Sequence, residues 1–192
     1  MSCVVLGLGS NRSYNEMEPL ELLQKAVTEL NMIMDDTICS SVYRTKPMYV
    51  EDQEYFYNMV LLGSVHEEFD PEKLLSQIHD IEAKLGRDRS KELRFGPRSI
   101  DIDIEFFGDL DIHTVDLQIP HPRLHERAFV LQPLLEILPK TADILKGEKL
   151  SKIQSDYADL KSTDVELFME RDVFLRQVEK EVHNGNTDTG SS

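Results

Sequence analysis

Apolar residues recur along this chain with two different periods, and the switches between them mark out its elements. Val4 to Leu8 is a short apolar run stopped by Gly9-Ser10-Asn11, which reads as a strand entering a turn. Pro19 stands where a helix opens, with Glu16, Glu18 and Glu21 near the positive end of its dipole. Leu20, Leu23, Ala26/Val27, Leu30 and Ile33/Met34 then recur at helical spacing, predicting an amphipathic helix over 18–34. Thr37 to Arg44 is rich in β-formers and predicts a strand. Thr45 to Tyr55 is polar, contains Pro47 and predicts a loop, and Phe56 to Val65 predicts the next strand. Pro71 opens a second helix, with Leu74, Leu75, Ile78, Ile81 and Leu85 on one face and a stop at Gly86. Ser99 to Phe107 alternates strictly, as a strand does.

The order β-α-β-β-α-β predicts an α+β fold of the ferredoxin-like kind, an antiparallel sheet with both helices on one face. Beyond it, Leu117 to Pro120 predicts a short extra strand and Glu126 to Ile137 a helix made irregular by Pro133. Leu167/Phe168, Phe174/Leu175, Val178 and Val182 recur at helical spacing, predicting a C-terminal helix packed on the domain or on a partner. The domain division expected is 1–140 for the main unit, 141–183 for an acidic, partly helical extension, and 184–192 for a disordered tail.

Charge narrows the function classes. In 192 residues, 36 acidic side chains stand against 21 basic ones, a formal net charge of −15. That excess argues against wholesale binding to nucleic acid or to an anionic membrane. Cys3 and Cys39 form no spaced pair, so a structural zinc site is not expected, and reduced thiols in a cytoplasmic protein are. No apolar run approaches the ~20 residues of a membrane helix, and the N-terminal pattern is that of a strand rather than a signal peptide.

The acidic chain nevertheless has a basic stretch. Arg87, Arg89, Lys91, Arg94 and Arg98 oppose Asp88 and Glu92 within twelve residues, +3 in a chain of −15. It runs directly into Asp101-Ile102-Asp103. Residues two apart on a strand share a face, so the two carboxylates project together while Ile100, Ile102 and Ile104 face the other way. Asp is depleted in strands and paired carboxylates repel, so a merely solvated strand face gains nothing from them. That repulsion also predicts that removing either leaves folding intact or improves it. Two such carboxylates suit magnesium, and the arginines suit phosphate oxygens. Pro120-His121-Pro122-Arg123-Leu124-His125-Glu126-Arg127 adds two histidines and two arginines able to bind anions. There is no Walker A motif, no G-x-S-x-G elbow, and Gly7-Leu8-Gly9 lacks the third glycine of a dinucleotide loop.

The segments LGSN (8–11), SSVYRT (40–45), Asp52-Gln53 with Phe56-Tyr57-Asn58, IEAKLGRDR (81–89), FGPRSIDIDI (95–104) and IPHPRLHERAFVLQPL (119–134) resemble the 6-hydroxymethyl-7,8-dihydropterin pyrophosphokinase family over roughly residues 3–140. The resemblance implies transfer of pyrophosphate from ATP to a pterin hydroxymethyl group, leaving AMP, in folate biosynthesis. It implies two Mg²⁺ ions on Asp101 and Asp103, with Arg87 or Arg89, together with Arg98, at the triphosphate. Glu82, Ile104, His121 and Arg127 resemble further ATP contacts. Thr45, Lys46, Pro47, Met48, Phe56, Asn58, Phe95 and Phe129 resemble the pterin site, Phe95 standing where many members carry Trp. Small-molecule substrates and a monomer are expected. The competing readings are a non-catalytic ferredoxin-like binding or regulatory domain, disfavoured by the complete set of charged residues, and a two-metal nuclease, opposed by the net charge.

Overall fold

A computed structural model describes residues 1–48, 52–90, 96–138, 148–160 and 164–187, with backbone alone for 148–150 and 180–187. The apolar run near the N-terminus forms strand β1 (Ser2–Ser10), and helix α1 spans Pro19–Leu30. At its start the Glu18 N–H donates to Glu21 Oε2 at 2.7 Å. The periodic pattern ran on to Met34, but the chain turns at Asn31–Ile33, where backbone N–H groups reach back to Val27, Glu29 and Leu30.

The strand expected over 37–44 is two strands, β2 (Asp35–Cys39) and β3 (Val42–Thr45). They are separated by Ser40 and Ser41, whose polar groups have partners of their own. Ser40 Oγ accepts from the Val60 N–H at 2.9 Å. The Ser41 N–H and hydroxyl both donate to Glu136, as does the Tyr43 hydroxyl. Strand β4 covers Phe56–Val65 as predicted. Helix α2 (Pro71–Lys84) is capped by Asp70, which accepts from the Lys73 N–H at 2.7 Å, and β5 covers Asp101–Phe107.

With a strand β8 at Val165–Met169, the sheet order is β5-β1-β4-β3-β8, with β2 also on β4 and every neighbour antiparallel. The ferredoxin-like arrangement is therefore present, with one strand added. That strand, β8 (Val165–Met169), corrects the helical reading of Leu167 and Phe168. It pairs with β3, matching Tyr43 to Leu167 and Thr45 to Val165, and so occupies an edge that would otherwise leave backbone groups unpaired. The C-terminal helix α5 begins only at Arg171 and runs to Thr187, so the backbone of 184–187 is helical where composition predicts a tail. Residues 188–192 lie outside the described residues.

Each face of the sheet has its own core. Leu6, Leu8, Met59, Leu61, Ile102 and Ile104 pack against Leu23, Val27 and Leu30 of α1, Leu74 and Ile78 of α2, and Phe174 and Val178 of α5. Helix α5 thus packs on α1 and the sheet, and Gln24 Nε2 donates to Gln177 Oε1 across the α1–α5 contact. The opposite face carries Val5, Val60, Leu62 and Phe106 under Val130, Leu131, Leu134 and Ile137 of helix α3 (Ala128–Ile137). Helix α4 (Glu148–Leu160) packs over α3 through Ile153. Two short strands, β6 (Ile112–His113) and β7 (Gln118–Ile119), pair on the chain's way to α3. No helix among the described residues is long and apolar enough to cross a membrane.

Candidate active site

Helix α3 covers only part of its sheet face, and the uncovered part is a cavity of about 370 Å³. Its floor follows from residue parity. Val5 is under α3, so Gly7 and Gly9 of β1 face the same way but carry no side chain. A Cβ on Gly9 would stand 2.9 Å from Asn58 Oδ1, and one on Gly7 would stand 2.8 Å from Glu105 Oε1. The two glycines that fail as a dinucleotide loop therefore form the open floor between β4 and β5.

On the β5 side, Asp101, Asp103 and Glu105 all line the cavity. Asp101 is held by two guanidiniums: Arg87 Nη1 on Oδ1 and Arg98 Nη1 on Oδ2, both at 2.5 Å. Burial alone would raise its pKa, but Arg87 and Arg98 more than offset that, and the carboxyl sits below its ordinary value. Arg127 Nη1 donates to Asp103 Oδ2 at 2.6 Å. Two carboxylates that would repel each other are thus neutralised by three arginines from three separate segments.

Behind them lies Glu82 of α2, whose side chain is 1% exposed. It accepts from Arg87, from Arg89 Nη2 at 2.5 Å and from the Ile102 N–H at 2.8 Å. One carboxylate therefore aims two arginines and pins the backbone of β5. Burial pushes its carboxyl above the ordinary value against the pull of Arg87 and Arg89. Gly86 makes the geometry possible. Its φ of +91° reverses the chain between α2 and Arg87, and a Cβ there would enter the Tyr14 ring.

Glu105 is different again. It is 0% exposed, and burial raises its pKa to about 8, against the pull of Arg127. Arg127 Nη1 reaches its Oε1 only at 3.4 Å, and Oε2 has no hydrogen-bond partner among the described residues. His121 lies at the margin, Nε2 4.0 Å from Asp103 Oδ2, with its pKa lowered by burial and by Arg127.

The β3–β4 side is half apolar, and Lys46 is its charged member. Thr45, Lys46, Met48, Gln53, Phe56, Asn58 and Phe129 line it. Asn58 Nδ2 donates to Thr45 Oγ1 at 2.8 Å, which fixes the amide beside Gly9. Asn11 ties the two sides together. Its Nδ2 donates to Gln53 Oε1 and to the Glu54 carbonyl, and its Oδ1 accepts from the Arg98 N–H at 2.9 Å.

The structure therefore brings Arg87, Arg89, Arg98, Asp101, Asp103, Arg127, Thr45, Lys46, Met48, Phe56, Asn58 and Phe129 to one cavity. Glu82 stands behind that cavity, and Pro47 does not line it. Ile104 does not line it either: its side chain is buried in the α1/α2 core, which leaves its main chain to meet a ligand. Phe95 and Arg94 lie outside the described residues. Arg123, read from the sequence as a possible anion binder, also lines the cavity; sequence reasoning missed the roles of Gly7, Gly9, Glu105 and Gln53 and the tie made by Asn11. Glu105 had a signal, since it falls on the same strand parity as the aspartate pair.

Comparison with known proteins agrees with this arrangement. Residues 5–139 match the family model described as 7,8-dihydro-6-hydroxymethylpterin-pyrophosphokinase (HPPK). The chain is 41% identical over 134 residues to the 2-amino-4-hydroxy-6-hydroxymethyldihydropteridine pyrophosphokinase of Bacillus subtilis, covering 69% of this chain and 75% of that protein. It is equally identical over 134 residues to the Folic acid synthesis protein fol1 of Pneumocystis carinii, covering 70% of this chain but spanning only 17% of that much longer protein. A crystal structure of Plasmodium falciparum HPPK-DHPS A437G/K540E with pterin and p-hydroxybenzoate shares the fold at a TM-score of 0.60 and 19% identity, over 82% of this chain and 43% of that one. By its sequence, carried on this sheet and cavity, the chain belongs to the 7,8-dihydro-6-hydroxymethylpterin-pyrophosphokinase family.

Proposed function

We propose that the cavity binds ATP and 6-hydroxymethyl-7,8-dihydropterin side by side and transfers the pyrophosphoryl group between them. The observation that carries this reading is the division of one cavity into two unlike halves. Arg87, Arg89, Arg98 and Arg127 gather around Asp101 and Asp103 on one side, and Asn58, Thr45, Phe56 and Phe129 line a half-apolar slot on the other, with Lys46 beside them. A triphosphate suits the first and a planar heterocycle with amide-like edges suits the second.

Asp101 and Asp103 are the residues that would hold magnesium. They fit it: two hard carboxylates without a third ligand make a partial shell of the kind magnesium completes with phosphate oxygens and water. No group of three or more potential metal ligands exists among the described residues, which suits magnesium better than a caged transition metal. When bound, two such ions would supply charge neutralisation on the triphosphate.

The protein's own part is positioning. Arg98 and Arg127, both largely shielded from water, offer charge-assisted hydrogen bonds to phosphate oxygens in a low-dielectric setting. Asn58 and the Thr45–Met48 backbone orient the pterin edge, while Phe129 and Phe56 pack its faces. The pterin hydroxymethyl oxygen then bonds to the β-phosphorus as the bond from that phosphorus to the α,β-bridging oxygen breaks. AMP leaves with that electron pair, and the hydroxyl proton passes to solvent. With so little covalent work, orientation and electrostatics supply the rate. A cytoplasmic monomer is part of the same proposal, on charge and cysteine content alone.

The test is chromatography of the nucleotide product from ATP and Mg²⁺, with and without the hydroxymethyl pterin. AMP that forms only with the pterin supports the reading; ADP, or nucleotide loss independent of the pterin, contradicts it.

A further inference from the structure

Glu105 is the one acid of the cavity that neither the sequence pattern nor the proposed reaction uses. Its carboxyl is fully buried, and a Cβ on Gly7 would press on its Oε1 at 2.8 Å and on Val130 Cγ2 at 3.5 Å. The floor of the cavity is therefore cut away where this side chain lies. A buried carboxyl normally has partners for both oxygens. Here Oε2 has none among the described residues, and Oε1 has only the long contact from Arg127.

Arg127 is shared. Its Nη1 stands 2.6 Å from Asp103 Oδ2 and 3.4 Å from Glu105 Oε1. In this arrangement the guanidinium belongs to Asp103. The magnesium–ATP reading, on which this inference rests, needs the Asp103 carboxylate for a cation. An oxygen given to a divalent ion is not available to a guanidinium, and a largely buried arginine left without an acceptor is costly. Glu105 offers the other acceptor, already in line with the same nitrogen and carrying an unsatisfied oxygen.

We propose that Glu105 is a positioning residue: a second seat that takes Arg127 when Asp103 turns to the metal–nucleotide, keeping the guanidinium beside the phosphates. Moving by less than 1 Å would turn the 3.4 Å contact into a full hydrogen bond. The fork of the guanidinium also has a further N–H for Oε2. Cation binding and arginine placement are coupled through this exchange.

The test is calorimetric titration of α,β-methylene ATP into wild type, Glu105→Leu and Glu105→Gln over a series of Mg²⁺ concentrations at one pH. Without the second seat, Arg127 competes with the cation for Asp103. The Mg²⁺ concentration giving half-maximal nucleotide binding should then rise about tenfold in Glu105→Leu, the scale of one charge-assisted hydrogen bond. Glu105→Gln keeps one carbonyl acceptor in the same shape, so its midpoint should lie between the two, roughly threefold above wild type. If Glu105→Leu does not fold, that intermediate rise in Glu105→Gln decides alone. An unchanged midpoint in either variant overturns the proposal. So does a Glu105→Gln shift as large as that of Glu105→Leu, because the charge and not the acceptor would then be its source. A wild type that binds no nucleotide with Mg²⁺ overturns the ATP reading itself and this inference with it.

Discussion

The two faces of one sheet are built from the same strands and hold opposite contents. Toward α1, α2 and α5, strands β1 and β5 present Leu6, Leu8, Ile102 and Ile104, all buried and fully packed. Toward α3 the alternate residues are Gly7, Gly9, Asp101, Asp103 and Glu105, and they line a cavity. One step along a strand separates core from chemistry. The closed face fixes the register, and the register sets Asp101 opposite Gly9 and Asp103 opposite Gly7, with Glu105 at the bulge that follows. Rigidity on one side is what lets the other side remain open without collapsing.

Neighbouring positions 101 and 102 give the sharpest way to break that comparison. Asp101→Ala should lower turnover by about a thousandfold or more, since it releases Arg87 and Arg98 and removes a carboxylate proposed to hold magnesium, and loss of one transition-state charge contact alone costs about 2.7–4 kcal/mol. Ile102→Ala should cost about 2–5 kcal/mol of stability in denaturant titration while leaving turnover per folded molecule nearly unchanged. Equal loss of turnover in both would mean that the faces are not separate in function. Asp101→Ala also tests a sign. From sequence alone, mutual repulsion predicts a gain in stability when one aspartate is removed. Arg87 and Arg98 reverse this, and a loss on the order of 2 kcal/mol is expected because their guanidiniums lose a partner.

Gly86 joins the two faces, since it ends a closed-face helix and aims open-face arginines. Gly86→Ala should cost roughly 2–4 kcal/mol from its left-handed backbone and the clash with the Tyr14 ring, with turnover falling as Arg87 and Arg89 are displaced. A variant with normal stability and kcat would refute the aiming role. Phe174→Ala, a deletion in the fully buried part of α5, should cost about 3 kcal/mol in thermal or chemical unfolding and leave kcat alone. A loss of kcat without a loss of stability would move the C-terminal extension from the core to the chemistry.

The smallest expected effect lies wholly on the closed face. Burial raises the Cys39 pKa from an ordinary 9.0 to about 11. Below pH 9 the thiol is neutral in both folded and unfolded chains. Between pH 9 and 11 the unfolded chain ionises first, so stability falls as pH rises through that window, by on the order of 2 kcal/mol. Replacing Cys39 with Val should flatten this slope relative to wild type in urea titrations from pH 8 to 11. An unchanged slope would show that the thiol makes no contribution.

The sequence made the closed face legible because burial leaves a period: the 3.6-residue stripe of α2 and the alternation of β5 as far as Glu105 need no knowledge of partners, whereas the bulge that turns Phe106 to the α3 face left no such mark. The open face was legible where chemistry broke propensity, as at Asp101 and Asp103. Other features depend on distant residues. Strand β8 looked helical because Leu167, Phe168 and Phe174 fit that spacing, and only the free edge of β3 shows why Val165–Met169 is extended. The break at Ser40 and Ser41 depends on Glu136, 95 residues away. Gly7 and Gly9 read as an incomplete motif until Glu105 and Asn58 showed what their missing side chains make room for. The arginine–aspartate pairing required the chain after Gly86 to fold back onto β5, which no local pattern records.

The central claim is that the open end of one sheet face moves a two-phosphorus unit from ATP to a pterin alcohol. Phosphorus NMR of a mixture of protein, ATP, Mg²⁺ and 6-hydroxymethyl-7,8-dihydropterin tests it most directly, with Asp101→Ala as the control. The account predicts that both the β and γ signals of ATP move together into a diphosphate ester as AMP appears, and that Asp101→Ala leaves the ATP signals in place. Appearance of ADP with a monophosphate ester, or of free inorganic phosphate, would contradict it.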